Sequence, residues 1–174
     1  MKKAFTLVEL LIVIAILGIL IVGILIALDP VEQTRRASDT TVLTSAGDVK
    51  NAVDRYYASK LYFPWCDSTS PAGGCSLISG CAPDSAYLLN SGCGATVATE
   101  LVNTGELKSN LPSTLTSIIY LALGPGATTF NVSFNPASKA YDTNKGTKYI
   151  NSTCATLDPG TTCTTAPNAC YLCL

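Results

Sequence analysis

Lys2-Lys3-Ala4-Phe5-Thr6-Leu7-Val8-Glu9-Leu10-Leu11 begins the chain, and the apolar run continues so that residues 10–28 pass without a single charge. As an α-helix rising about 1.5 Å per residue, that stretch spans roughly 28 Å, close to the thickness of a bilayer's hydrocarbon core. A cleaved secretory signal has a shorter apolar region of about 7–15 residues followed by a small-x-small site. Here the run is followed by Asp29-Pro30-Val31, which offers no such site. Lys2 and Lys3 before the run, with Asp29 and Glu32 after it, place the N-terminus on the cytoplasmic side and the rest of the chain outside.

The remaining composition fits that division. Of 174 residues, 48% are hydrophobic and only 13% charged, because much of the apolar mass lies in the N-terminal run. Eleven basic and twelve acidic residues give a formal charge of −1, which provides no field for capturing nucleic acid. The sequence contains no histidine, which removes Ser/His/Asp and Cys/His catalysis and any metal site that needs imidazole. It also lacks a Gly-rich phosphate loop and clustered carboxylates in the head, so neither an enzyme nor a bound cofactor is expected.

Glu9 is the anomaly in the run, since a carboxylate beside hydrocarbon is costly unless protonated or paired. The pattern from Lys2 to Leu11, with its long apolar continuation, resembles the N-terminus of the type IV pilin superfamily, which includes type IV pilins and type II secretion pseudopilins. The resemblance implies cleavage by a prepilin peptidase between Ala4 and Phe5, N-methylation of Phe5, and an assembly role for Glu9, the fifth mature residue. Ala4 stands where the family nearly always has Gly. The proline that many members carry at the twenty-second mature position is here Ile26, and Pro30 follows instead. The α-amino group created by cleavage, with a reference pKa of about 7.7, would neutralise Glu9 of a neighbouring subunit. Such a pair fixes axial register, because a shift would leave both charges unpaired.

Asp29-Pro30-Val31-Glu32 reads as a helix start, with Asp29 as N-cap and Pro30 at the first helical position. Gly18 and Gly23 are further weak points at which the first helix could break. Val42, Ala46, Val49, Val53 and Tyr56 then recur at spacings of four, three, four and three, one stripe of an amphipathic helix. Arg35, Arg36, Asp39, Asp48, Lys50 and Asp54 are expected to face solvent or neighbouring subunits.

All eight cysteines lie in the second part of the chain: Cys66, Cys75, Cys81, Cys93, Cys154, Cys163, Cys170 and Cys173. Even number and an external compartment favour structural disulfides. Cys170-Tyr-Leu-Cys173 would also suit a redox motif or part of a zinc site, but it lacks the βαβ setting of the first and the partner ligands of the second. Eight cysteines allow 105 pairings; local pairs such as Cys66 with Cys75 and Cys154 with Cys163 are the simplest guesses. Residues 95–104 suggest a short helix, and residues 117–123, 128–134, 139–142 and 148–151 suggest a three- or four-stranded meander. Asn131-Val-Ser133 and Asn151-Ser-Thr153 match the glycosylation acceptor pattern, although Ser and Thr serve equally as strand and turn residues.

The expected architecture is therefore α+β and pilin-like: a long N-terminal helix packed on a small antiparallel sheet with disulfide-rich loops. Residues 1–4 form a leader, 5–28 a transmembrane and filament-core helix, 29–60 an amphipathic helix, 61–117 a cysteine-containing connection with a short helix, and 118–174 the sheet and C-terminal cysteine region. The resemblance implies a filament subunit held in the inner membrane as precursor and displayed at the cell surface when assembled. Its partners would be copies of itself, minor pilins, the prepilin peptidase, an assembly ATPase, an inner-membrane platform protein and, before assembly, membrane lipid. A secretion pseudopilin, a minor pilin and a monomeric membrane-anchored binding protein are the alternatives.

Overall fold

The structure is a computed structural model that describes residues 5–69, 75–108, 111–142, 148–149, 151–156 and 170–174. It divides into two compact units, Met1–Arg35 and Arg36–Leu174.

In the first unit, helix α1 spans Leu7–Leu28 and continues unbroken through Gly18 and Gly23. Neither glycine removes a backbone donor, so each costs only about 1 kcal/mol of helix propensity and the hydrogen-bond ladder persists. The break falls at Asp29 instead. Pro30 lacks an N–H and disfavours the α region for the residue before it, and Asp29 adopts a left-handed conformation with φ 37°. Helix α2, Pro30–Lys60, starts at once. The Glu32 N–H lies 3.4 Å from Asp29 Oδ1, and the Gln33 side-chain amide donates to the Leu28 carbonyl at 2.9 Å, satisfying an end group of α1.

In the second unit, the stripe on α2 is buried as its spacing requires: Val42, Ala46, Val49, Val53 and Tyr56 are at most 3% exposed. They share one apolar cluster with residues of a five-stranded antiparallel sheet in the order β1-β2-β3-β5-β4. The strands are β1 Ala86–Leu88, β2 Ile119–Leu123, β3 Phe130–Phe134, β4 Lys148–Tyr149 and β5 Tyr171–Cys173. Ile119, Leu121 and Leu123 alternate along β2 and pair across to Phe134, Val132 and Phe130, so one pleated face supplies the core. This is an α+β, pilin-like fold.

Two strands arise outside the segments expected from sequence. β1 lies in the cysteine-containing connection, and β5 is formed by Tyr171-Leu172-Cys173 of the CxxC, inserted between β3 and β4. The sheet is thus not a meander. Residues 139–142, expected as strand, form the short helix α5, Lys139–Asp142. The cause lies far away in sequence: Asp39 of α2 accepts the Ala137 N–H at 3.0 Å and the Ser138 N–H at 2.8 Å, fastening the segment that leads into that turn. Asp39 is 4% exposed, so it serves the interior of the head rather than solvent or a neighbour.

The connection after α2 is tied internally. Helix α3, Gly92–Asn103, packs beside β1, and helix α4, Ser113–Thr116, leads into β2. Cys66–Cys75 and Cys81–Cys93 close loops of sequence separation 9 and 12. Trp65, fully buried, donates its indole N–H to the Ala127 carbonyl at 2.9 Å and stacks on Phe63. Gly94 is required by close packing, since a Cβ there would meet the Leu88 carbonyl oxygen at 2.2 Å.

Cys154 pairs with Cys173 across 19 residues, not with Cys163, and thereby staples β5 to the segment preceding it. Ser133, fully buried in β3, donates its hydroxyl to the Ser152 carbonyl at 2.8 Å, so this acceptor-pattern serine is structural. Asn151 Oδ1 accepts from the Ala155 N–H at 3.2 Å in a local turn. Cys170 is disulfide-bonded too, while Cys163 lies outside the described residues.

Candidate functional site

The chemistry singled out by the sequence converges on the first turn of α1. Thr6 is its N-cap, in extended conformation, and Glu9 is the third helical residue. The Glu9 N–H donates to Thr6 Oγ1 at 3.2 Å. In return Glu9 Oε2 accepts from both the Thr6 backbone N–H and the Thr6 hydroxyl, each at 2.9 Å. This reciprocal capping box satisfies end donors of the helix, and a carboxylate near the positive end of the helix dipole is favourably placed.

Oε2 takes both bonds. Among the described residues Oε1 accepts none, and the Glu9 side chain is exposed. Phe5 precedes the box and is 78% exposed. Ala4, the other residue of the expected cut, lies outside the described residues. Sequence reasoning missed Thr6, although Thr-x-x-Glu before an apolar run is itself the signature of a capping box.

Beyond Glu9, α1 is apolar on every side. Leu7–Leu25 is long and apolar enough to cross a membrane, with mean hydropathy 3.1, and none of that window is buried within the chain. Large side chains such as Leu10, Ile14, Leu17, Ile21 and Leu25 are each half exposed or more. A helix that is hydrophobic all round needs an apolar surrounding that a single chain in water does not supply. Asp29 and Pro30 end this apolar rod, whereas Gly18 and Gly23 are ordinary positions within it.

The cysteines stand apart from this site. The described disulfides join Cys66 to Cys75, Cys81 to Cys93 and Cys154 to Cys173, so the two cysteines of the CxxC are not bonded to each other. That arrangement braces the head and leaves Cys173 no thiolate for exchange or metal binding. Among the described residues no group of three or more His, Cys, Asp or Glu side chains is placed to hold a metal ion.

No curated protein and no solved structure matches the chain significantly. Residues 1–25 match the prokaryotic N-terminal methylation motif, so the chain carries the type IV prepilin-like signal of pilins and pseudopilins.

Proposed function

We propose that the chain is a structural subunit, a pilin, of an extracellular type IV pilus-like filament. Prepilin peptidase cuts between Ala4 and Phe5, the new N-terminus is methylated, and copies bundle their α1 helices into a filament core driven by an assembly ATPase and an inner-membrane platform protein. The observation that carries this reading is the methylation motif joined to a helix whose apolar surface is unburied on all sides. Burying each Leu or Ile of α1 against neighbours contributes about 1.5–3 kcal/mol relative to water, and within lipid the same helix rests stably until extraction.

Glu9 gives the bundle its register. Thr6 orients the carboxylate through Oε2, and Oε1 receives the α-amino group of Phe5 from an adjacent copy. The braced, Ser- and Thr-rich head forms the coat, and its disulfides suit a surface exposed to the medium.

Mass spectrometry of the N-terminal peptide tests the processing step. A methylated Phe5 terminus is expected; an intact Met1 or a cut elsewhere would refute the reading. Negative-stain microscopy of material sheared from cells tests the filament. Processed chain that stays in the membrane fraction with no filament would move the assignment to a periplasmic pseudopilin.

A further inference from the structure

The described disulfides differ in how they are covered. Cys66–Cys75 and Cys81–Cys93 each keep one cysteine in the apolar interior, Cys66 at 5% and Cys93 at 1% exposure. In Cys154–Cys173 both cysteines are partly exposed, and neither belongs to the apolar cluster. Thiol–disulfide exchange proceeds by attack of a thiolate on one sulfur with departure of the other, so access and leaving group both matter. In the first two bonds the buried sulfur is shielded from attack. Attack on the outer sulfur expels a thiolate into apolar surroundings, which solvate it poorly. At Cys154–Cys173 neither handicap applies, whichever sulfur is attacked.

The segments joined by this bond are otherwise lightly held. Cys154 sits at φ 59°, a conformation that a β-carbon disfavours and that persists where its surroundings impose it. β5 pairs through two residues with β3 and two with β4, and Leu174 and Val132 exchange backbone bonds at 2.9 and 3.4 Å. Leu172 is the one buried side chain that β5 gives to the apolar cluster; the other buried members all lie between Val42 and Phe134. The core therefore closes without β5. Cys170, buried and separately disulfide-bonded, is the fixed point from which residues 171–174 extend.

We propose that Cys154–Cys173 is a redox latch: a dithiol reductant opens it ahead of the other described disulfides, and opening releases β5 and β4 from a head that otherwise stays folded. The reductant is a small dithiol or a protein with a dithiol site. One of its thiolates attacks one sulfur of the bond, and the other cysteine leaves as a thiolate and takes a proton. The second thiol of the reductant then displaces the remaining cysteine. Two electrons and two protons pass to the protein, which gains two thiols, and the reductant departs as a disulfide. Release strips Ser133 and Phe134 of their β5 partners, and β4, paired only with β5 among the described residues, loses its place in the sheet. The latch acts within the head and does not depend on whether the chain forms filaments.

The full chain in non-ionic micelles is treated with limiting dithiothreitol, quenched at intervals with N-ethylmaleimide and mapped by peptide mass spectrometry. Cys154 and Cys173 should be labelled roughly tenfold faster than Cys66, Cys75, Cys81 and Cys93. Equal rates, or earlier labelling of any of those four, would overturn the proposed order of opening. Hydrogen exchange of the chain alkylated at this bond reads the release itself. Peptides covering β4 and β5 should exchange at least about tenfold faster than in the oxidised chain, while those covering Val42–Tyr56 and β2 keep their protection. Unchanged exchange at β5, or protection lost throughout the head, would overturn the latch.

Discussion

Replacing Asp39 with alanine is the sharpest test of how the head is held together. Its carboxylate is nearly inaccessible and receives two backbone N–H groups, from Ala137 and Ser138, at 3.0 and 2.8 Å. Alanine leaves the Ser138 N–H without a partner in the buried interior, whereas the Ala137 N–H, in an exposed residue, can turn to water. One unsatisfied buried donor costs about 1–3 kcal/mol, and that sets the expected loss. For a unit of this size that corresponds to a fall in melting temperature of roughly 3–10 °C. Asparagine should fall between the two, because its one oxygen can serve one N–H while its NH2 opposes the other. Helix α1 adds far-UV ellipticity that does not belong to the head, so the head is best followed by Trp65 fluorescence during thermal or urea unfolding of the micelle-bound chain. An Asp39→Ala protein melting with the parent would refute the claim that this carboxylate fastens the 137–138 segment.

Glu9→Gln preserves the capping geometry with Thr6, since Gln also fits the box, and removes only the charge; filament yield should drop at least about tenfold while N-terminal methylation persists, as measured by sheared-filament yield and mass spectrometry. Replacing both Cys154 and Cys173 with serine reopens a 19-residue loop and should destabilise the head by about 3 kcal/mol in urea unfolding, without affecting membrane insertion. Burial raises the phenol pKa of Tyr56 and Tyr171 above the ordinary 10.0. The neutral phenols therefore contribute stability that is complete below about pH 10 and is lost as pH rises above it towards the folded-state values. Unfolding midpoints should decline above about pH 10, and Tyr56→Phe should flatten that decline.

The stripe of α2 was legible because its 4-3 spacing leaves a single face on which Val42, Ala46, Val49, Val53 and Tyr56 can meet a sheet. β2 and β3 were legible from their alternating apolar residues, and the helix break from Pro30 and its effect on Asp29. Segments decided by distant partners were not. The turn at 139–142 depends on a carboxylate about a hundred residues earlier, and β5 exists because Cys173 is bonded to Cys154 while two strands pair with it. Cysteine spacing alone does not choose among many pairings, so the guess of Cys154 with Cys163 had no local signal to correct it. At the candidate site Glu9 was plain as an isolated charge in an apolar run. Thr6, three residues earlier, is the helix cap that orients it, and Thr-x-x-Glu carries that signal in the sequence itself.

If the head is exported as proposed, the insertion of β5 between β3 and β4 sets a timetable for its maturation. Among the described residues β4 pairs only with β5, a strand later in the chain, so it waits unpaired until that strand has crossed the membrane. The native bond of Cys154 must wait for the same arrival, because its partner emerges 19 residues later. A head stalled in translocation would thus hold β1, β2 and β3 together while presenting an open sheet edge and an unspent thiol, the species on which an extracytoplasmic oxidase or quality-control protease would act.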